Sequence, residues 1–127
     1  MQTMRTPLKN VRRLGSAKEG SDHFWKQRVS AVALLVLGTA TVALIVSLVG
    51  ADHATAKRTL ANPLVSLVLM LLIGAGVIHM RLGMQVIIED YIRSEGRKIV
   101  LLMLNTFFAI AVGVACTLAV LKLSFGA

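Results

Sequence analysis

His79-Met-Arg-Leu-Gly83-Met-Gln-Val-Ile-Ile-Glu89-Asp90-Tyr91 decides how this chain is read: an apolar run interrupted by a histidine and closed by two acids and a phenol. On a helix rising about 1.5 Å per residue, His79 and Tyr91 stand roughly 18 Å apart along the axis, a separation that spans membrane depths. At about 100° per residue, Gly76, Gly83 and Asp90 return to within about 60° of the azimuth of His79. One stripe therefore reads Gly76, His79, Gly83, Asp90. Two glycines bracketing an imidazole leave the backbone bare above and below the ring, as the approach of a flat, wide ligand such as a haem requires. The stripe is expected to act as a docking wall.

Of the 127 residues, 56% are hydrophobic, and most of these gather in three long runs. A water-soluble domain of this size has too little interior to hold them. The expected fold class is an all-α membrane protein with three transmembrane helices. Formal charge is +8, but the basic residues cluster at the ends of the apolar runs, so the excess reads as topology and not as affinity for nucleic acid. Cys116, the one cysteine, lies inside an apolar run; it excludes an internal disulfide and reads as an inert buried thiol.

Residues 1–27 read as a basic cytoplasmic segment and 28–127 as a three-helix anchor domain, with spans at about 29–50, 64–88 and 99–121. Ala54-Thr-Ala56 has the spacing of a cleavage box, yet the run from Val29 to Gly50 is long enough to span, which favours a helix over a signal peptide. His23-Phe24-Trp25 supplies an aromatic anchor at headgroup level. Residues 51–63 read as a short connector, with Asn62-Pro63 starting the second helix, and Ser94 to Gly96 read as the next turn. Gly113 with Ala109 or Thr117 makes a small-xxx-small pattern suited to close packing.

Arg81 lies within the second span. Of the other basic residues, Arg5, Lys9, Arg12, Arg13, Lys18, Lys26, Arg28, Arg93, Arg97 and Lys98 fall on one side, against Lys57, Arg58 and Lys122 on the other. Ten against three places the N-terminus in the cytoplasm and the C-terminus outside. The segment from 79 to 91 then runs inward, with His79 near mid-bilayer and Asp90-Tyr91 at the inner surface.

An ionisable group at mid-bilayer is costly without a partner. His79 gains one either by giving its imidazole to a metal or by hydrogen-bonding a neighbouring helix, and position alone leaves both readings open. His23 and His53 lie near opposite surfaces, so an iron with two histidine ligands draws the second from another chain. Met80 and Met84 read as packing. Asp90-Tyr91 has the polarity of a quinone head-group site, since a phenol donates to a carbonyl and a carboxylate holds water or a cation; the same pair also reads as an interfacial anchor beside a solvated acid. Tyr91 lies about 120° from His79, so the two sites would be neighbours. Arg81 points about 200° from His79 and either snorkels or pairs with a partner's carboxylate. The alternative function is a small multispan ion or proton transporter component without haem, with His79 and Asp90 as relays; a purely structural assembly protein is a third.

At His79-x-x-x-Gly83-Met84 followed by Asp90-Tyr91, the chain resembles the smaller hydrophobic membrane anchor of succinate dehydrogenase, the cytochrome b small subunit of complex II. Three spans in the same orientation, Arg28 opening the first span, and a leader with Gly15-Ser-x-x-Glu-Gly20 and His23-Phe24-Trp25-x-Gln27-Arg28 are similar to bacterial members. The resemblance implies packing with a second three-helix anchor subunit, the cytochrome b large subunit. The two would share one haem b and hold the iron-sulfur and flavoprotein subunits on the cytoplasmic face of the bacterial inner membrane. It further implies His79 as an axial ligand of the haem iron with Gly83 beside it, Tyr91 as the hydrogen-bond donor to quinone, Asp90 as its polar neighbour, and Arg28 near the quinone or the haem propionates. Arg81 departs from the aromatic residue expected there in some members. One cysteine cannot hold an iron-sulfur cluster, so the chain is expected to be a component of succinate:quinone oxidoreductase and not a catalyst by itself.

Overall fold

A computed structural model describes residues 17–126, with side chains from residue 20 onward. Arg5, Lys9, Arg12, Arg13 and the Gly15-Ser16 start of the leader motif lie outside the described residues, as does the side chain of Lys18. Four helices follow in order: α1 (Ala17–Ser47), α2 (His53–Leu60), α3 (Pro63–Tyr91) and α4 (Glu95–Ser124). There is no strand among the described residues. Three of the helices are long and apolar enough to cross a membrane, over Gly20–Ser47, Pro63–Tyr91 and Glu95–Ser124. The 29 residues of α3 extend about 43 Å, beyond the roughly 30 Å of a hydrocarbon core, so its ends reach the headgroups.

Helices are the form these runs must take, because lipid offers backbone groups no partner outside the segment. Side-chain hydroxyls obey the same rule: Thr39, Thr41 and Thr106 donate to the carbonyls of Leu35, Leu37 and Leu102 at 2.6, 2.8 and 3.0 Å. Local chemistry sets the ends. Gly50, at φ +81°, takes the left-handed conformation that closes the turn after α1. At the start of α3 the Asn62 side-chain oxygen accepts from the Leu64 N–H at 2.9 Å, and Pro63 follows the cap as expected.

Three boundaries differ from the sequence reading. Helix α1 starts at Ala17, inside the segment read as a polar leader, because Lys, Gln, Glu and Arg are good helix formers and a helix need not begin where hydrophobicity does. Residues 51–63 contain α2, whose alanines favour helix and whose Lys57 and Arg58 sit in the last turn, against the negative end of the helix dipole. The turn after α3 falls at residues 92–94, since Ile92 is already extended and α4 begins at Glu95.

Helix α3 is central: it packs on α1 along one side and on α4 along another, and α1 and α4 share no face. The buried set is small, comprising Ser30 of α1, Leu82 and Ile88 of α3, and Ala109 and Val120 of α4. On the α4 side the small-residue pattern does pack closely. Ala109 is 1% exposed, and a Cβ added to Gly113 would meet Val77 Cγ2 at 3.3 Å. Where α4 ends beside the start of α3, the hydroxyls of Ser66 and Ser124 lie 2.6 Å apart, and Ser124 donates to the Val120 carbonyl at 2.9 Å. Cys116 is exposed on α4 and not buried as expected, because the outer side of α4 has no neighbour within the chain.

Candidate functional site

In the half of the α1/α3 interface nearer Tyr91, Ser30 Oγ lies 3.2 Å from His79 Nδ1. The same hydroxyl donates to the Gln27 carbonyl at 3.0 Å. A serine has one hydrogen to give; with that hydrogen on the Gln27 carbonyl, its oxygen is an acceptor for the His79 tautomer protonated at Nδ1, whose lone pair is on Nε2. His79 itself is half-buried.

The glycines of the stripe meet α1 and not open space. A Cβ on Gly83 would stand 3.5 Å from Gln27 Nε2, and one on Gly76 would stand 3.8 Å from Leu34 Cδ2. The expected docking wall is therefore covered over Gly76 and Gly83 by the chain's own first helix, because a bare helix surface admits a neighbouring helix as readily as a flat ligand. Asp90, farther along the stripe, is exposed. This interface is also the polar one. His23, Gln27 and Ser30 share a face of α1 at offsets of four and three, and His23 Nε2 and Gln27 Oε1 are buried without a hydrogen-bond partner among the described residues.

On the α4 side, a groove of about 440 Å³ is lined by Met80, Met84, Ile87, Tyr91, Asn105 and Phe108 among others. Tyr91, the last residue of α3, lines it and is 80% exposed. Asn105 donates from Nδ2 to the Arg81 carbonyl at 2.9 Å, tying α4 to α3 beside the groove. Neither Asp90 nor Arg28 lines this groove. Consecutive residues on a helix diverge by about 100°, which separates Asp90 from Tyr91, and the Arg28 guanidinium lies over the Phe24 ring, 5.1 Å from its centroid. Within this chain the phenol and the two expected neighbours are therefore not gathered at one place. Arg81 is exposed and forms no ion pair among the described residues. About one turn closer to Tyr91, Gln85 donates to Glu89 at 2.8 Å, so Arg81, Gln85 and Glu89 make a second polar row along α3.

No group of three or more His, Cys, Asp or Glu side chains with the spacing of a metal site occurs among the described residues. His79 fits a haem iron in one respect: with Nδ1 against Ser30, Nε2 would be the ligating atom. Ser30 and Asn105 were not singled out from sequence. The signal for Ser30 is visible once α1 and α3 are paired antiparallel, since it is the one hydroxyl between Arg28 and Thr39 and lies at the depth of His79.

The fold and this interface define a multi-pass helical membrane protein with a held histidine at mid-depth and a phenol at one end of the same span. Residues 2–114 match the succinate dehydrogenase/fumarate reductase transmembrane subunit family, and the chain belongs to it. It is similar to the succinate dehydrogenase hydrophobic membrane anchor subunit of Paracoccus denitrificans, at 31% identity over 122 residues covering 96% of this chain and 94% of that one. It is also similar to the protein of the same description in Rickettsia bellii, at 29% identity over 116 residues covering 91% and 93%. No solved structure gives a significant match. The family expected from the His79 to Tyr91 stretch is the family found.

Proposed function

We propose that the chain is the small membrane-anchor subunit of a succinate:quinone oxidoreductase in a bacterial inner membrane, with its N-terminus cytoplasmic and its C-terminus outside. It pairs with a second three-helix anchor subunit and, with it, holds an iron-sulfur subunit and a flavoprotein subunit on the cytoplasmic face. Oxidation of succinate to fumarate by the soluble subunits releases two electrons and two protons, and reduction of a quinone to quinol takes up the same number of each.

His79 would hold the iron of a haem b through Nε2, with a second ligand from the partner anchor. A haem b bound there supplies a one-electron store between the clusters and the quinone. Arg28, at the inner end of α1, offers a permanent positive charge to a propionate or to the quinone region. Tyr91 donates its phenolic hydrogen to a quinone carbonyl, and the apolar groove beneath it accommodates an isoprenoid tail. Asp90 stands one residue away and faces the inner surface. Gly83 keeps the helix surface beside His79 low enough for α1 and the ligand to share it.

The observation that carries this reading is the Nδ1 bond of His79 to Ser30, which leaves the other ring nitrogen for iron at mid-depth in a member of this family. A reduced-minus-oxidised visible spectrum of the purified complex tests it. The native complex shows a b-type band and His79→Ala lacks it while the four subunits still copurify. A band of full size in His79→Ala overturns the ligand assignment.

A further inference from the structure

We infer that Ser30 is a positioning residue for His79: it selects the imidazole tautomer and strengthens the ring as an iron ligand. The inference rests on the reading of His79 as a haem ligand. Its basis is hydrogen-bond accounting. If the hydroxyl donated to Nδ1, the ring hydrogen would sit on Nε2 and block ligation. The Gln27 carbonyl, 3.0 Å from Ser30 Oγ, takes the hydroxyl hydrogen, so the oxygen faces His79 at 3.2 Å as an acceptor.

This arrangement is specific to its place. The threonines of α1 spend their hydroxyls on carbonyls of their own helix and bond no side chain of α3. Ser30 is 6% exposed, so water does not compete for the Nδ1 hydrogen. Gly83 lets Gln27 approach to 3.5 Å of where a Cβ would be, which brings this turn of α1 onto α3. A metal-ligating histidine whose other N–H is held by an acceptor keeps a fixed ring orientation and is a more basic ligand. A more basic imidazole stabilises ferric over ferrous iron, so Ser30 lowers the reduction potential of the site and slows loss of the haem.

The test uses the assembled complex with Ser30→Ala and Ser30→Thr. Redox titration of the b band and the rate of haem transfer to an excess of a haem-scavenging apoprotein are read in each. Ser30→Ala is expected to shift the midpoint to higher potential and to release haem roughly 10- to 100-fold faster, the usual range for removing an outer partner of a metal ligand. Ser30→Thr, which keeps the hydroxyl, stays near wild type in both. Unchanged potential and release in Ser30→Ala overturn the inference, as do equal changes in Ala and Thr. If Ser30→Ala assembles without haem, Thr must restore both the haem and its potential, and failure to do so again overturns it. His79→Ala separates the two readings: a haem that depends on His79 but ignores Ser30 sinks this inference alone, whereas a haem indifferent to His79 sinks both.

Discussion

Helix α3 meets its two neighbours by different means. Towards α1 the contact is polar and glycine-lined: Ser30 bonds His79, Gln27 lies over Gly83, and His23 and Gln27 keep buried polar atoms without partners among the described residues. Towards α4 it is close-packed, with Ala109 fully enclosed and Gly113 against Val77, and the hydrogen bonds there, Asn105 to the Arg81 carbonyl and Ser66 with Ser124, involve no ring nitrogen. In lipid, apolar surface gains little by leaving one apolar medium for another, so helices associate through close packing and hydrogen bonds. The α4 side uses both to hold α3 in place. The α1 side packs less closely, and its one side-chain hydrogen bond to α3 falls on an imidazole.

The sharpest way to break this contrast is at the packed side. Gly113→Leu forces a side chain into Val77, which already stands within 3.3 Å of a Cβ, and is expected to destabilise the chain by about 1–3 kcal/mol. Thermal inactivation of the detergent-solubilised complex measures it, and Val77→Ala in the same chain should recover part of the loss because the two residues share one contact. A wild-type midpoint for Gly113→Leu would show that α4 docks elsewhere.

Tyr91→Phe probes the groove that the packed side leaves at its inner end. Losing one hydrogen bond of about 0.5–1.5 kcal/mol lowers quinone turnover roughly two- to tenfold, while succinate oxidation with a soluble artificial acceptor is retained. Equal loss of both activities would assign the phenol to assembly.

Gly83→Ala sharpens the polar side. The new methyl lands 3.5 Å from Gln27 Nε2, an ordinary contact, and alanine is favoured over glycine in a helix by up to about 1 kcal/mol. Stability is expected to hold or rise slightly with haem content unchanged. A fall in haem content would return Gly83 to the ligand wall that the sequence stripe suggested.

The smallest effect belongs to a region outside both interfaces. The Thr55 hydroxyl and nearby N–H groups at the start of α2 hold the Asp52 carboxyl below its ordinary value. A depressed carboxyl stabilises the fold when ionised, so its contribution is complete above the usual carboxylate range and disappears as pH falls through the lowered value. Asp52 is exposed, so the melting curves of wild type and Asp52→Asn should differ slightly at neutral pH and converge in acid. A difference that grows in acid would reverse the sign and refute this account.

Much of the molecule was legible before any coordinates. Length and apolarity specify three spans in lipid, where a backbone has no choice but helix. Asn62-Pro63 announces a helix start through its own hydrogen bond, and Gly113 with Ala109 announces a close contact. Helix α2 was hidden because its eight residues are fewer than a helical period needs to be read reliably. The stripe of Gly76, His79 and Gly83 was read correctly as one face, but a face does not declare its occupant.

The sequence by itself determined the number of spans, the placing of His79 and Tyr91 on one span, and the family, because these depend on order along the chain and on the exclusion of water by lipid. The tertiary structure alone decided that α1 covers the glycines, that Ser30 meets the imidazole, and that Tyr91 opens onto the α4 groove apart from Asp90 and Arg28. Each of those depends on which azimuth of one helix faces another. That choice is made by contacts of a few ångströms between residues dozens of positions apart, which no local pattern encodes.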